Sequence, residues 1–248
     1  MRLEVTFDGN GRLTLPIHHN HILQAAVYNL FEEEILAEYV HKEGFMWGKR
    51  RFKFFCFSRL QGVNYVDNKG KTITFDMPVK LVITSPVGFI VRDLAQGLLR
   101  KGEVQFGTNR LYVVDIAARD QTVSKNEILV RMLSPLTVYS TVERGGRKFT
   151  YYYSPFEDRF AQLVEDNLIK KYQVLTGRSH PPPLGCRTYV EKITPKDFKV
   201  LIYKGTIIKG WMGIFKLVGD PELLTLALDA GLGAKNSQGL GCCEEVSG

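Results

Sequence analysis

The feature that most constrains the fold of this chain is an order of predicted elements that occurs twice along its 248 residues. In each half, a strand is followed by a helix, by two or three further strands, by a helix that begins at a proline, and by a final strand. The order β-α-β-β-α-β is typical of the ferredoxin-like unit. We therefore predict an α+β fold of two tandem ferredoxin-like domains, residues 1–122 and 123–248, with a polar linker near residues 119–126.

Two segments of the first half predict helices. The apolar residues Ile22, Ala26 and Leu30 lie four residues apart and therefore share one face of a helix over residues 20–40. Ser85-Pro86 predicts the start of the second helix, because serine caps free amides and a proline at the first helical position gives up no hydrogen bond. Strands are predicted at residues 2–7, 52–57, 72–75, 80–84 and 111–117.

The second half contains the clearest amphipathic helix of the chain. This helix is predicted to begin at a capping box over residues 154–157 and to extend to Leu175. Asp220-Pro221 predicts the start of the last helix, which extends to Ala230, and Gly145-Gly146 predicts the turn of a hairpin. Strands are predicted at residues 128–132, 138–141, 148–152, 188–193, 198–203, 206–217 and 242–246.

Composition narrows the class of protein. Apolar residues make up 44% and charged residues 24% of the chain, which excludes a disordered or collagen-like protein. The chain has no apolar run of about 18 residues and no N-terminal signal core, so we expect a soluble cytoplasmic protein without membrane contact. The four cysteines lack a metal-binding spacing and are expected to be reduced, structural thiols. The formal charge of +7, spread over both halves, is compatible with a polyanionic partner.

The segment 231–241, GLGAKNSQGLG, is the most distinctive motif of the chain. Dinucleotide-binding loops and Walker loops leave a strand and open a helix, whereas this segment follows a predicted helix and precedes the last predicted strand. Asn236 also stands where the third glycine of a GxGxxG motif would be. Two interpretations remain: a loop whose exposed backbone amides and Lys235 hold phosphate, or a tight turn.

The surroundings of this glycine-rich segment favour the first interpretation. An apolar strand ending at residues 215–217, then Gly219, then a helix over residues 223–230 lead into the segment. In this order the region closely resembles the CRISPR-associated endoribonucleases that cut precursor CRISPR RNA within its repeats, members of the repeat-associated RNA-binding superfamily. Three other segments also resemble this family: residues 15–29 its first-helix signature, residues 53–60 its second strand, and residues 133–136 the entry to its second domain.

The resemblance covers nearly the whole chain and implies both a fold and a function. It implies two ferredoxin-like domains side by side, with RNA bound at the glycine-rich segment and in the cleft between the domains. It further implies metal-independent cleavage that leaves a 5′-hydroxyl and a 2′,3′-cyclic phosphate, with no cofactor. CRISPR repeat RNA is the expected partner, other CRISPR effector subunits are further candidates, and the chain is expected to be a monomer or a homodimer. The alternative function is a non-catalytic subunit that binds repeat RNA in an effector complex.

Cleavage of RNA without a metal needs a general base, a general acid and a cation that stabilises charge on the phosphate. Histidine suits the base near neutral pH, and the chain has five histidines. The resemblance matches His41 to the family's catalytic histidine, Tyr28 to its first-helix tyrosine, and Lys53 to the lysine that opens its second strand. Without the resemblance, a core residue is the preferred explanation of Tyr28, and a solvated helix end is the preferred explanation of His41.

A larger set of residues is predicted to contact RNA. It consists of Lys49, Arg50, Arg51, Arg59, Gly231, Gly233, Lys235, Asn236, Ser237, Gly239 and Gly241. Lys49, Arg50 and Arg51 also compete with Lys53 for the role of the catalytic cation. Trp47 and Phe52 are interleaved with these cations and could stack on bases, although aromatic residues of strands are more often part of the core.

A single straight helix cannot bring Tyr28 and His41 together. His41 follows Tyr28 by 13 positions, which would separate their side chains by about 220° around the helix and by about 20 Å along it. We therefore predict a break within residues 31–36, around the three glutamates at 32–34.

Two possible metal sites are disfavoured. His18, His19 and His21 lie in one short loop, and no carboxylate or thiolate accompanies them. The glutamates at 32–34 are consecutive on a predicted helix, so their side chains point about 100° apart and do not converge on one ion. We therefore expect no metal site.

Overall fold

Two antiparallel sheets with corresponding strand orders form the two halves of the chain, in a computed structural model that describes residues 1–246. Residues 247–248 of the predicted second domain lie outside the described residues. The elements of the first half are β1 (Arg2–Asp8), β2 (Arg12–Pro16), α1 (Asn20–Leu30), α2 (Glu34–Glu38), a π-helical turn (Tyr39–Glu43), β3 (Phe45–Trp47), β4 (Arg50–Phe52), β5 (Cys56–Phe57), β6 (Asn64–Asp67), β7 (Thr72–Asp76), β8 (Val79–Thr84), α3 (Gly88–Lys101), β9 (Glu103–Phe106) and β10 (Asn109–Arg119).

The five-stranded sheet of the first half has the order β5-β8-β1-β10-β9, and its neighbouring strands are antiparallel. The four strands of the ferredoxin-like unit are, in chain order, β1, β5, β8 and β10, and β9 is an additional edge strand. Across the sheet they lie in the order second, third, first, fourth, as in a ferredoxin-like unit, and α1 and α3 are its two helices. Successive residues of a strand face opposite sides of the sheet, and β1 accordingly buries Leu3, Val5 and Phe7 in the core.

Helices α1 and α3 contact each other closely at Gly97. A Cβ atom at Gly97 would lie 1.8 Å from the carbonyl oxygen of Leu30, the last residue of α1. Only glycine therefore allows α3 to approach the end of α1 at this distance, and this contact fixes where the chain leaves α1.

The second half repeats the arrangement. Its elements are β11 (Glu127–Met132), β12 (Tyr139–Arg144), β13 (Arg147–Tyr152), α4 (Asp158–Thr176), β14 (Cys186–Lys192), a short 3-10 turn (Pro195–Asp197), β15 (Phe198–Tyr203), β16 (Thr206–Trp211), β17 (Ile214–Gly219), α5 (Pro221–Ala230), a second 3-10 turn (Asn236–Gln238) and β18 (Cys243–Glu245). The sheet order β14-β17-β11-β18 is again second-third-first-fourth, with α4 and α5 as the helices. The predicted class, α+β with two tandem ferredoxin-like units, is confirmed; the boundary at residues 122/123 stays a prediction.

Two predicted strands are interrupted. Phe54 has a φ of 49°, which divides the predicted strand over residues 52–57 into the end of β4 and the short β5. Gly213 has a φ of 108°, and a Cβ atom there would lie 2.7 Å from the carbonyl oxygen of Lys192. This close approach divides the predicted strand over residues 206–217 into β16 and β17.

Two helices begin later than their prolines predict. In the first, Ser85 Oγ accepts a hydrogen bond from the amide of Val87 at 3.0 Å, which forms a turn before α3 begins at Gly88. A similar turn precedes α4, which begins at Asp158. The serine caps the turn in the first case, so the helix starts after it. Helix α5 begins at Pro221, as predicted.

Two further expectations concern the thiols and the membrane. All four cysteines are free and buried, as expected of structural thiols. Within residues 1–246, no helix is both long enough and apolar enough to cross a bilayer.

Candidate active site

The predicted break between Tyr28 and His41 is confirmed. Helix α1 ends at Leu30, the chain is not helical over residues 31–33, and α2 begins at Glu34. The carboxylate of Asp93, on α3, accepts hydrogen bonds from the amides of Glu32 at 2.9 Å and Glu33 at 3.2 Å. A contact from a distant helix thus stabilises the break, and nothing in the local sequence indicated it.

The break brings the rings of Tyr28 and His41 together. Their centroids are 4.8 Å apart and the ring planes are nearly perpendicular, at 89°. Phe55 packs on Tyr28 in the same edge-to-face manner, with centroids 5.3 Å apart. His41 is exposed, whereas Tyr28 is half-buried, and burial raises the pKa of the Tyr28 hydroxyl well above its usual range. Tyr28 therefore holds its proton at neutral pH and can serve as a hydrogen-bond donor or an acid.

Lys53 joins this pair through the backbone. Its Nζ donates a hydrogen bond to the carbonyl oxygen of His41 at 2.7 Å. Gly44 makes room for this contact, because it has a φ of 63° and a Cβ atom there would lie 2.6 Å from the carbonyl oxygen of Phe52. Partial burial lowers the pKa of Lys53. Among the predicted cations, Lys53 therefore lies beside His41, while Arg51 donates instead to the carbonyl oxygen of Lys42 at 2.5 Å.

Tyr28 and His41 line an open groove of about 490 Å³. The groove also contains Gln24 from α1 and Lys204 from the turn between β15 and β16. The hydroxyl of Tyr203 donates to Gln24, which ties this turn of the second half to the first half. Gln24 and Lys204 were not predicted as site residues, because no local pattern indicates which turn of one half faces a helix of the other.

A second cavity, here called the cleft, lies between the two halves and has a volume of about 280 Å³. Its wall is formed by β4 and the residues that follow it, by the start of β12, by α4, and by the glycine-rich segment. The cations that line the cleft are Arg50, Arg51, Lys53, Lys170, Lys171 and Lys235, and the acidic residue among its lining is Asp166. This charge balance favours a polyanion. Because Lys53 lines the cleft and also binds the backbone of His41, it connects the cleft to the groove.

Backbone amides at both ends of the glycine-rich segment are used inside the protein. The amides of Leu232, Ala234 and Gly241 donate to backbone carbonyls of Gly241, Thr137 and Pro135, and Gly231, Gly233, Gly239 and Gly241 are buried. A Cβ atom at Gly241 would lie 1.9 Å from the carbonyl oxygen of Leu232. The four glycines thus act as close-packing positions that set the path of the segment. The partly exposed part is the 3-10 turn and the residue before it, Lys235.

The same segment attaches the two halves to each other. Asn20 Nδ2 donates to the carbonyl oxygens of Gln238 at 2.9 Å and Gly239 at 3.1 Å, and Gln24 Nε2 donates to that of Ser237 at 2.6 Å. The Asn236 side chain is used internally, since its Nδ2 donates to the carbonyl oxygens of Leu232 and Leu240. Asn236 is therefore a structural residue of the segment, and Lys235 and Ser237 are the better placed of the predicted contacts.

Lys171, a buried lysine of α4, holds the glycine-rich segment by hydrogen bonds to its backbone. This lysine is only 2% exposed, and its Nζ donates to the carbonyl oxygens of Gly231 at 2.7 Å and Gly233 at 3.1 Å. Burial lowers the pKa of Lys171 to about 7. The buried thiols of Cys56 and Cys243 face it, and burial raises the pKa of each thiol well above its usual range. Lys171 was not predicted, because only the fold brings it to these carbonyls.

We expect Lys171→Met to change how stability depends on pH. A lysine whose folded pKa is about 7 is neutral in the folded state and charged in the unfolded state between pH 7 and about 10. Within this window the unfolded state binds one proton more than the folded state, and a rise in pH makes that proton less favourable to bind. The free energy of unfolding of wild type therefore rises relative to that of Lys171→Met, by up to about 1.4 kcal/mol per pH unit. The unfolded-state titration of the thiols is common to both proteins and cancels. Urea denaturation of both proteins at pH 7 and pH 9 measures the effect.

Lys170→Met is the matched control, because Lys170 is the next residue of α4 and is only half-buried. The stability difference between wild type and Lys170→Met should be the same at both pH values. A constant difference for Lys171→Met as well would mean that the carbonyl oxygens of Gly231 and Gly233 keep Lys171 charged, contrary to the prediction.

The remaining predicted residues are dispersed. Lys49, in the turn between β3 and β4, and Arg59, after β5, are exposed and lie outside the linings of both cavities. Trp47 is exposed, and the Nζ of Lys170 lies 5.3 Å from the centre of its ring. Phe52 lines the cleft and stacks on Phe54.

Within residues 1–246, no three His, Cys, Asp or Glu side chains are grouped to hold a metal ion.

Comparison with family models accounts for nearly all of the chain. The model described as CRISPR-associated protein Cas6, N-terminal, matches residues 14–117, and the model described as CRISPR associated protein Cas6, C-terminal, matches residues 118–245. Two similar proteins are the CRISPR-associated endoribonuclease Cas6 1 of Methanocaldococcus jannaschii and the CRISPR-associated endoribonuclease Cas6 of Pyrococcus furiosus. The first is 26% identical over 251 residues, covering 99% of this chain and 93% of that protein. The second is 27% identical over 241 residues, covering 94% and 84%.

Solved structures show the same fold. A CRISPR associated protein Cas6 superposes with a TM-score of 0.79 at 24% identity, covering 100% of this chain and 99% of the other. A Cas6-related protein from Pyrococcus furiosus superposes with a TM-score of 0.84 at 19% identity, covering 100% and 98%. A RAMP protein described as binding different RNA substrates superposes with a TM-score of 0.82 at 20% identity, covering 100% of both chains.

Proposed function

Because the chain belongs to the Cas6 family of CRISPR-associated proteins, we propose that it is a metal-independent endoribonuclease that cuts precursor CRISPR RNA within its repeats. The single observation that carries this proposal is the contact between the rings of Tyr28 and His41, 4.8 Å apart, with Lys53 bound to the His41 carbonyl oxygen. A possible base, a possible acid and a cation thus meet at one place. The names of the relatives, which are CRISPR-associated endoribonucleases, support the same activity.

The proposed chemistry assigns one role to each of these three residues. His41 takes the proton of a ribose 2′-hydroxyl, whose oxygen then attacks the adjacent phosphorus. Tyr28 gives its proton to the departing 5′-oxygen; burial raises the pKa of this hydroxyl, so it is protonated before the reaction. Lys53 stabilises the negative charge that develops on the phosphate oxygens. The bond from phosphorus to the 5′-oxygen breaks, which leaves a 2′,3′-cyclic phosphate and a 5′-hydroxyl.

The cleft supplies the proposed binding surface for the RNA. Arg50, Arg51, Lys53, Lys170 and Lys235 of its lining can pair with successive phosphates, whereas Lys171 is buried beneath the glycine-rich segment. Contacts to phosphates give affinity without base specificity. Lys53 lies at the junction of the cleft and the groove, so RNA held in the cleft passes beside His41. Association with other CRISPR subunits, a monomeric or homodimeric state and a cytoplasmic location stay predictions.

A repeat RNA with a single 2′-deoxy nucleotide at the cleaved position tests the proposed reaction. We expect the protein to cut the unmodified RNA equally well with and without EDTA, and to bind but not cut the 2′-deoxy RNA, because the attacking hydroxyl is missing. The upstream product should carry a 2′,3′-cyclic phosphate, which acid treatment and gel mobility or mass spectrometry detect. Loss of cleavage in EDTA, or cleavage of the 2′-deoxy RNA, would contradict the mechanism.

The competing function is a non-catalytic subunit that binds repeat RNA. It is favoured by the similarity in fold to a RAMP protein described only as binding different RNA substrates. Such a subunit would bind both RNAs in this experiment and cut neither, so the same measurement separates the two functions.

A further inference from the structure

We propose that Tyr139 is a platform on which one unpaired RNA base stacks inside the cleft, and that Asn167 reads the edge of that base. This inference rests on the proposed function, since it specifies what kind of nucleotide lies beside the scissile phosphate. Tyr139 and Asn167 come from β12 and α4 of the second half, whereas Lys53 comes from the first half, and all three line the cleft.

Tyr139 is an aromatic side chain in a basic cavity. It is the first residue of β12, it is 36% exposed, and the Nζ of Lys235 lies 5.2 Å from the centre of its ring. A nucleotide offers a flat base and a phosphate a short distance away, and Tyr139 with Lys235 offers the matching flat ring and ammonium. This combination of stacking ring and cation is the usual composition of single-strand binding sites.

The ammonium of Lys235 has to leave the ring when a base stacks there. Lysine has a flexible four-carbon stem, which allows this movement toward the phosphate of the entering nucleotide. An exposed contact between an ammonium and a ring, such as that of Lys235 with Tyr139, favours the contacting state only about 2- to 5-fold. Stacking of one base contributes about 5- to 150-fold, so the exchange favours the nucleotide.

The backbone of Lys235 gives independent support for a role in binding. Lys235 has a φ of 62°, in the left-handed region that disfavours residues other than glycine, and it directly precedes the 3-10 turn. Strained residues of this kind occur preferentially at ligand sites. The neighbouring positions with positive φ, Gly233 and Gly239, are glycines, so Lys235 is a lysine at a kind of position that this segment otherwise gives to glycine.

Asn167 supplies a polar group in the same wall. Its side chain is only 8% exposed, and its Oδ1 has no hydrogen-bond partner among residues 1–246. Buried carboxamides are normally satisfied, and an exception indicates a missing partner. The edge of a nucleotide base presents donors and acceptors that a carboxamide can match. A base within a duplex is stacked and paired, so only an unpaired nucleotide can reach both side chains.

Binding to short labelled RNAs tests the stacking role. The probes are 12-nucleotide oligo(A), oligo(C) and oligo(U) and a 12-base-pair RNA duplex, measured by fluorescence anisotropy with His41→Ala protein so that no RNA is cut. We expect Tyr139→Leu to weaken binding of the single strands about 5- to 150-fold. Binding of the duplex should change less than about twofold, and Tyr139→Phe, which keeps the ring, should bind about as the parent does.

Tyr112→Leu is the matched control. Tyr112 is also an exposed tyrosine with a cation over its ring, Arg110 at 6.0 Å, but it lies on β10, outside the cleft. This variant should bind all probes as the parent does. Equal binding by Tyr139→Leu and the parent, or equal losses for single strands and duplex, would overturn the stacking role. A thermal melt of each variant identifies any loss that comes from unfolding, and Tyr139→Phe then decides the outcome.

The salt dependence of binding tests the role of Lys235, and the preference among bases tests the role of Asn167. The slope of log affinity against log salt should be unchanged in Tyr139→Leu and smaller by about 0.7 in Lys235→Met, which loses one phosphate contact. The parent should rank the three homopolymers differently, by about 2- to 12-fold for one hydrogen bond, and Asn167→Leu should remove that ranking. An unchanged ranking in Asn167→Leu would overturn its reading role.

The binding assay and the cleavage assay can fail independently. If the protein cuts no repeat RNA but Tyr139→Leu loses single-strand binding, the proposed function is wrong and the stacking site stands. If the protein cuts RNA as proposed but Tyr139→Leu binds normally, the stacking site is wrong and the proposed function stands.

Discussion

Replacement of His41 by alanine is expected to lower the rate of repeat-RNA cleavage by about 10²- to 10⁴-fold, the usual contribution of a positioned general base. His41 is exposed and lies in the π-helical turn after α2, so the substitution removes only the edge-to-face contact with the half-buried Tyr28. The thermal stability should therefore stay close to that of wild type. RNA affinity should also persist, because the cations of the cleft are intact. Single-turnover cleavage together with anisotropy measures both quantities on the same preparation.

His180→Ala is the control for this experiment. His180 is likewise an exposed histidine, in the loop after α4, outside the groove and the cleft. This variant should cut RNA at the wild-type rate. Wild-type cleavage by His41→Ala would remove His41 from the mechanism, and a parallel loss of RNA affinity would assign it a role in binding.

Replacement of Gly241 by alanine is expected to destabilise the protein by more than about 4 kcal/mol, a size that is rare for one methyl group. Gly241 has a φ of 76°, and its new Cβ atom would lie 1.9 Å from the carbonyl oxygen of Leu232. That oxygen belongs to the glycine-rich segment itself, so the segment would have to move away from Gly241. RNA affinity should fall as well, because the same segment carries Lys235 into the cleft. Urea denaturation gives the free energy of unfolding.

Gly177→Ala separates the steric clash from the backbone strain. Gly177 ends α4 with a φ of 71°, and a Cβ atom there would meet nothing within 4 Å. This variant has the strain of a left-handed alanine without the clash, and should lose only about 1–2 kcal/mol. If the two variants were destabilised equally, close packing at Gly241 would not be the reason why this position is a glycine.

The sequence predicted what local physics determines. The strand and helix order in each half follows from periodicity and from capping residues, and Asp220-Pro221 begins α5 as predicted. The break between Tyr28 and His41 followed from helix geometry, since an unbroken helix cannot bring two residues so spaced to one phosphate. Only the resemblance to the family indicated that Tyr28 and His41 are the two residues that must meet.

The tertiary structure decided which residues face each other across large separations in sequence. Asp93 stabilises the break from 60 residues away, and Lys171 supports the glycine-rich segment from 60 to 62 residues away. The glycines of that segment show a related limit of the sequence: glycine is needed both where backbone binds a ligand and where backbone packs on backbone. A sequence motif does not distinguish the two.

The sequence by itself therefore determined the fold class, the repeated order of elements and the spacing that forces the chain to turn between Tyr28 and His41. Only the tertiary structure determined that Lys53 is the cation beside His41, that Lys170 and Lys171 line the cleft, and that Tyr139 and Asn167 share it. The physical reason is the range of the forces involved. Periodicity and capping act within a few residues, whereas the cleft is formed by side chains from both halves, which are far apart in the sequence.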